Sequence, residues 1–260
     1  MMKSPSVKNV PREWFELVNS YSGARLTYWK DKLPAISGIA RAFCREHVLD
    51  RAKGDDGRGQ HYLAGLWRYS LEEQLFWLNL YNSATTKPGP PHPPSWSWSS
   101  VAGSISGCLH SPSDSMKVNF RVLDVQVTLA TEDEYGAVTS GRLVLQCHAL
   151  IPVTLGKVSG RIWEYHFYLS VNSVPIREST VGLSVPVPQL GQTDLFVLHG
   201  AKYSTGTEVG LLLQQAGTEN TFHRVGSYWI NTKDVQRHRE ISMLLPFHET
   251  KGGPSIITII

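Results

Sequence analysis

Ser95-Trp96-Ser97-Trp98-Ser99-Ser100-Val101 follows the stiff run Pro90-Pro91-His92-Pro93-Pro94, and its reading decides how the chain divides. Two of the eight tryptophans in this 260-residue chain sit here, one residue apart. In an extended strand alternate residues share a face, so the spacing predicts Trp96 and Trp98 on one side and Ser95, Ser97 and Ser99 on the other. The prolines favour an extended entry and Gly103 permits a turn afterwards. The stretch therefore reads as a short aromatic-faced strand delivered by a rigid arm over residues 82–94. Large aromatic rings carry large burial energies, which favours packing between layers. The other reading of Trp96 and Trp98 is an exposed platform for a sugar, a peptide or a proline-rich partner.

Upstream of the Trp pair the apolar period is helical. Residues 12–22 read as a helix carrying Trp14, Leu17, Val18 and Tyr21 on one side. Asp31 is placed to cap a second helix, with Pro34 tolerated in its first turn. Ile36, Ile39, Ala40, Phe43 and Val48 then recur at three-to-four-residue spacing. Lys53–Gln60 reads as a flexible loop. Ser70-x-x-Glu73 has the form of a capping box, which predicts a third helix over 70–81.

Downstream the period becomes alternating. Val118, Phe120 and Val122 share one phase; Leu123, Val125, Val127 and Leu129 take the other, which predicts a bulge near Leu123. Strands are expected over 142–150, 161–171, 194–199, 208–215 and 222–230, with Trp163, Tyr165, Phe167 and Leu169 lining one face of theirs. Residues 132–140 read as a hairpin connection, 173–192 as a long loop or edge segment, 233–244 as a short helix and 256–260 as a closing strand. The expected fold class is α+β: a helical N-terminal third packed on an antiparallel β-sandwich or barrel. Residues 1–90 form the helical subdomain and 91–260 the β-rich one. Short amphipathic helices must bury their stripes on something larger, so the two are expected to form one cooperative unit.

Composition narrows the function classes. A net charge of +3 is mildly basic, and residues 1–60 hold 11 Lys/Arg against 7 Asp/Glu. A solvated helical face accounts for that bias better than a phosphate-binding stripe, so no nucleic-acid partner is expected. Cys44, Cys108 and Cys147 are odd in number and widely spread, which points to reduced thiols. No segment approaches the ~18 apolar residues of a membrane span. The N-terminus lacks the apolar core of a signal peptide, so a soluble cytoplasmic protein is expected.

Sequence motifs for catalysis are sparse. Gly103-Ser104-Ile105-Ser106-Gly107 places Ile where a nucleophile elbow needs Ser. Gly54-Asp55-Asp56-Gly57-Arg58-Gly59 fits neither the dinucleotide nor the P-loop spacing. Cys44-x-x-His47 puts two potential metal ligands on one helical face without a second pair nearby. Cys147 and His148 alternate across a strand and so face apart. No catalytic residue, metal site or cofactor is expected.

Four blocks of this sequence, in order over roughly residues 12–230, resemble fungal heterokaryon-incompatibility (HET) proteins. Pro94-Ser95-Trp96-Ser97-Trp98-Ser99-Ser100-Val101 is similar to their R-A-P-S-W-S-W-A-S-V-D-G signature, with Ser99 in place of Ala and Ala102 in place of Asp. Leu26 to Ala40, which contains Asp31, Leu33, Pro34 and Gly38, resembles L-T-x-x-x-D-K-L-P-A-L-S-G-L-A. Tyr62 to Trp67, containing Gly65, followed by Gln74 to Trp77, resembles Y-L-A-G-L-W…Q-L-L-W. Gly210 to Leu213 and Arg224 to Gly226 resemble G-L-L-L…R-I-G. The motif residues singled out are thus Asp31, Leu33, Pro34, Gly38, Gly65, Trp67, Pro94, Ser95, Trp96, Ser97 and Trp98.

The resemblance implies a region C-terminal to the family's signalling core, which is related to TIR domains, some of which cleave NAD. The motifs of that core are not found in this chain. The expectation is a non-enzymatic regulatory or interaction region of a non-self recognition protein. Its partner would be a protein, or an N-terminal signalling domain in another chain. The alternative is a β-rich binding module for carbohydrate or another ligand with Trp96 and Trp98 as its platform; a weaker one is a hydrolase whose triad assembles in space.

Overall fold

The structure, a computed structural model, describes residues 10–24, 26, 28–48, 61–79, 92–107, 116–157, 167–184, 194–231, 235–245 and 254–260. The 53–60 loop, residues 82–91 of the arm, Cys108, the Trp163–Tyr165 part of its strand and the end of the 173–192 segment lie outside the described residues.

Helix α1 (Val10–Ser22) turns Trp14, Phe15 and Val18 inward. Leu17, expected on that stripe, is exposed, and Phe15 takes its place. Helix α2 (Lys32–Phe43) buries Leu33, Ile36, Ala40 and Phe43, while Ile39 faces out; the stripe is narrower than its apolar spelling. The helix runs on through a widened turn at Cys44–Val48. Asp31 precedes α2 but its side chain makes no capping hydrogen bond, which corrects the capping role expected of it. Pro34 lies in the first turn, where its missing N–H costs nothing.

Two short strands, β1 (Tyr62–Leu63) and β2 (Leu66–Trp67), form a hairpin through Ala64 and Gly65. Both loop residues have positive φ, 48° and 98°, as the favoured two-residue hairpin turns require. The third helix is the main correction in this region. Of the described residues 70–79 only α3 (Leu71–Gln74) is helical, and Ser70 is left-handed with no capping bond. Gln74 ends it: its buried amide accepts from Trp67 N at 2.9 Å and donates to the carbonyls of Trp67, Tyr69 and Ser70. The chain then extends as β3 (Leu78–Asn79), which pairs with β4 (Ile105–Ser106).

The remaining strands are β5 (Met116–Val118), β6 (Phe120–Leu129), β7 (Val138–Cys147), β8 (Leu150–Lys157), β9 (Phe167–Val171), β10 (Val174–Leu183), β11 (Leu195–Tyr203), β12 (Glu208–Gln215), β13 (Thr221–Ile230) and β14 (Ser255–Ile259). The register of β6 on β7 shifts between Val122 and Asp124, so the bulge falls at Leu123 as the phase slip predicts. Leu123 itself points to solvent, while Val125 behind it is buried. Where a loop or edge segment was expected after residue 173, β10 runs for ten residues between two neighbours. Ile176 before its register shift and Val181 and Leu183 after it supply the inward face.

Six strands are hydrogen-bonded in an unbroken cycle, β8–β9–β10–β13–β12–β11 and back to β8. Val153, Leu169, Ile176, Val197, Leu212 and Tyr228 fill its interior with Ile241 of helix α4 (Val235–Leu244). The start of β13 also pairs with β14, in parallel, and β14 leads on to β7 and β6. This one parallel pairing departs from the all-antiparallel expectation.

A second core lies between the helices and the outer face of the sheet. It joins Trp14, Ile36, Trp67 and Trp77 to Trp96, Trp98, Leu143, Leu145, Leu211 and Ile259. Residues on both sides of position 90 therefore share one interior. No helix among the described residues is long and apolar enough to cross a membrane.

Candidate functional site

Ser95 and Trp96 form a turn and Trp98–Ser100 a single 3-10 turn, so the expected strand is not formed. Trp96, Ser97, Trp98 and Ser99 are all fully buried. An exposed aromatic platform is thereby excluded for Trp96 and Trp98, and Ser97 and Ser99 are buried with them. The buried hydroxyls are satisfied, as burial demands. Ser97 Oγ accepts from Ser99 N at 3.0 Å, donates to the Ala64 carbonyl and meets Ser99 Oγ at 2.7 Å.

The carbonyl of Gly65 is the centre of this knot. It accepts from Trp14 Nε1 at 2.8 Å and from Trp98 Nε1 at 2.6 Å. A Cβ at Gly65 would lie 2.5 Å from Trp98 Nε1, so the glycine is required both by its φ and by the indole packed on it. Trp77 Nε1 donates to the Trp96 carbonyl at 2.9 Å. Trp67 packs edge-on to Trp14 at 5.1 Å and nearly parallel to Phe43 at 5.6 Å.

Two buried cations close the knot; both stand inside the blocks quoted for the resemblance, but nothing local in the sequence announces their burial. Lys32, at the start of α2, reaches the Val101 carbonyl at 2.5 Å with its ammonium 5.1 Å from the Trp98 ring centre. Burial pulls its amine down to about 7. Arg224 of β13 donates through Nε to the Leu75 carbonyl, Nη1 to Ser184 Oγ and Nη2 to both Trp77 O and Ser227 Oγ. Its backbone N–H donates to Ser95 Oγ, and Ser95 in turn binds the Ile260 carbonyl. The alternation of β13 places Arg224 on the helical side; the 224–226 block marks it by resemblance, but the partners of its guanidinium are set by the fold.

Of the motif residues, Leu33, Gly65, Trp67, Pro94, Trp96, Ser97 and Trp98 come together here, with Ser95 at the margin. Asp31 is half-buried and Pro34 exposed. Gly38 is exposed with nothing within 4 Å of its added Cβ, and no packing reason for a glycine exists there.

Two ionisable clusters lie elsewhere among the described residues. Cys44 is buried with its thiol pushed up by desolvation, while His47 packs at a tilt on Phe43, ring centres 4.6 Å apart, and faces Glu13 and Glu46. Among the described residues no group of three or more His, Cys, Asp or Glu could hold a metal ion. Asn119 Nδ2 lies 3.3 Å from His199 Nδ1, His199 Nε2 is 3.7 Å from Glu208 Oε2, and Lys202 binds the other Glu208 oxygen at 3.1 Å. Such pairing from two sides is what a buried carboxylate requires.

No family model matches the chain, and no curated protein and no solved structure matches it.

Proposed function

We propose that this chain is a non-enzymatic regulatory or interaction region of a HET-type fungal non-self recognition protein, acting in the cytoplasm on a protein partner or on an N-terminal signalling domain carried by another chain. The observation that carries the reading is the burial of the shared blocks. Leu33, Trp67, Trp96, Ser97 and Trp98 sit at 0–2 % exposure in one hydrogen-bonded knot. Residues so placed specify a scaffold; they do not line a substrate pocket. The six-strand cycle is read as a small barrel whose outer face carries the helical layer. A carbohydrate-binding module built on Trp96 and Trp98 has no accessible ring to use.

Two measurements test this. The purified chain is expected to consume no NAD above a buffer control; turnover abolished by changing a single Glu overturns the non-enzymatic reading. Co-expressed in a fungal cell with a HET-type N-terminal domain, the chain is expected to alter the incompatibility cell-death response. An unchanged response, with both proteins folded and present, counts against the partner assignment.

A further inference from the structure

We infer that the cleft between β5, the first residues of β6 and the end of β7 binds a compact polyanion of the phosphate class. The cleft has a volume of about 430 Å³, and its polar lining is Lys117, Asn119, Arg121, Gln146 and His148, with no Asp or Glu among the lining residues. The ladder builds this arrangement. Phe120 pairs with Cys147 and Arg121 with Gln146, so the guanidinium and the amide project from neighbouring strands side by side. Phe120 and Cys147 are both buried. Cys147 stays a neutral thiol, its pKa raised to about 11 by burial, and adds no negative charge to the lining.

Among the described residues some cations elsewhere are neutralised, others such as Arg45 and Arg239 are not. Arg12, Arg41, Arg142, Lys202 and Arg237 each meet a carboxylate. Among the described residues Lys117, Arg121 and His148 meet none. Lys117 also stands directly opposite Lys202 across the β5–β11 pairing, a like-charge placement that costs stability. Glu208 neutralises Lys202, and an anion in the cleft would do the same for Lys117. Asn119 is held with one amide N–H on His199 Nδ1, which fixes its orientation and leaves the carboxamide's second donor for a ligand. A planar guanidinium, an ammonium and amide donors around one concavity suit tetrahedral phosphate oxygens.

The test uses the full chain with pyrophosphate as probe, read by thermal shift and by isothermal titration at constant ionic strength. Saturable binding is expected, with a rise in melting temperature. Lys117→Gln with Arg121→Gln should weaken it by about tenfold or more, the loss of two charge-assisted contacts. Arg142→Gln, which removes a cation outside the cleft, should leave it unchanged. In the wild-type chain, backbone amide NMR shifts on titration should map to residues 117–121 and 146–148, a readout independent of whether the double variant folds. Absence of saturable binding up to about 10 mM, equal loss in Arg142→Gln, or shifts mapping elsewhere would each overturn the assignment. Pyrophosphate binding and the HET-type reading stand or fall separately, since neither test uses the other's partner.

Discussion

The guanidinium of Arg224 lies 3.6 Å from the centre of the Trp77 ring, and the same residue's Nη2 donates to the Trp77 carbonyl. One side chain of β13 thereby holds both the ring and the backbone of the segment leading into β3. A planar cation with several donors in fixed directions can do this; an ammonium on a flexible stem cannot. Arg224→Lys is therefore expected to destabilise by about 2 kcal/mol or more, and Arg224→Met by about 3–5 kcal/mol, because buried carbonyls and hydroxyls lose their donors. Urea unfolding followed by tryptophan fluorescence measures both. A wild-type midpoint for Arg224→Lys would show that the clip carries no weight.

Trp98 tests the aromatic knot. Trp98→Ala should cost about 3–5 kcal/mol through the cavity it leaves. Trp98→Phe keeps most of the packing but removes the Nε1 bond to Gly65, and should cost about 1–3 kcal/mol. If Trp98→Phe keeps wild-type stability in equilibrium unfolding, the indole hydrogen bond contributes nothing separable from packing.

Two glycines on the same motif list should behave oppositely. Gly65→Ala places a methyl on Trp98 at a backbone angle of +98°. It is expected to destabilise by more than ~1 kcal/mol. Gly38→Ala lies inside α2 in open space, and alanine there should stabilise by about 0.5–1 kcal/mol. Calorimetric melting of the two variants decides, and a stabilised Gly65→Ala would refute the geometry described for the hairpin.

Lys32 gives a pH signature. Its amine falls from 10.5 in the unfolded chain to about 7 in the fold because burial disfavours the charged form. Between those values the unfolded state binds more protons, so this residue's contribution to stability increases as pH rises from about 7, below the ordinary tyrosine range near 10. Wild-type stability should therefore gain more between pH 7 and about 9 than Lys32→Met does. Parallel stability profiles for the two proteins would remove the buried amine from the account.

Cooperativity across the arm is the fifth expectation. Fragments 1–90 and 91–260 share the interior that joins Trp14, Trp67 and Trp77 to Trp96, Trp98 and Leu143. Expressed apart they should aggregate, and co-expression should recover soluble protein. Two soluble fragments that each melt cooperatively would refute the single unit.

The sequence by itself determined the two textures of this chain and most of its strands. Period-two alternation is a local property, so it located β6 and even the bulge at Leu123. It also favoured burial for Trp96 and Trp98, since large rings carry large burial energies, with an exposed platform as the other reading. Tertiary structure alone decided their conformation. Alternating Ser and Trp spell a strand locally, but the carbonyls of Ala64 and Gly65, more than thirty positions upstream, take their hydrogen bonds and curl the segment into a 3-10 turn. The same holds for residues 70–81, where the local capping pattern lost to one glutamine that bonds four backbone groups behind it. Lys32 and Arg224 lie furthest from sequence reading. A buried cation is legible only through the carbonyls and rings that surround it, and those are brought together by the fold.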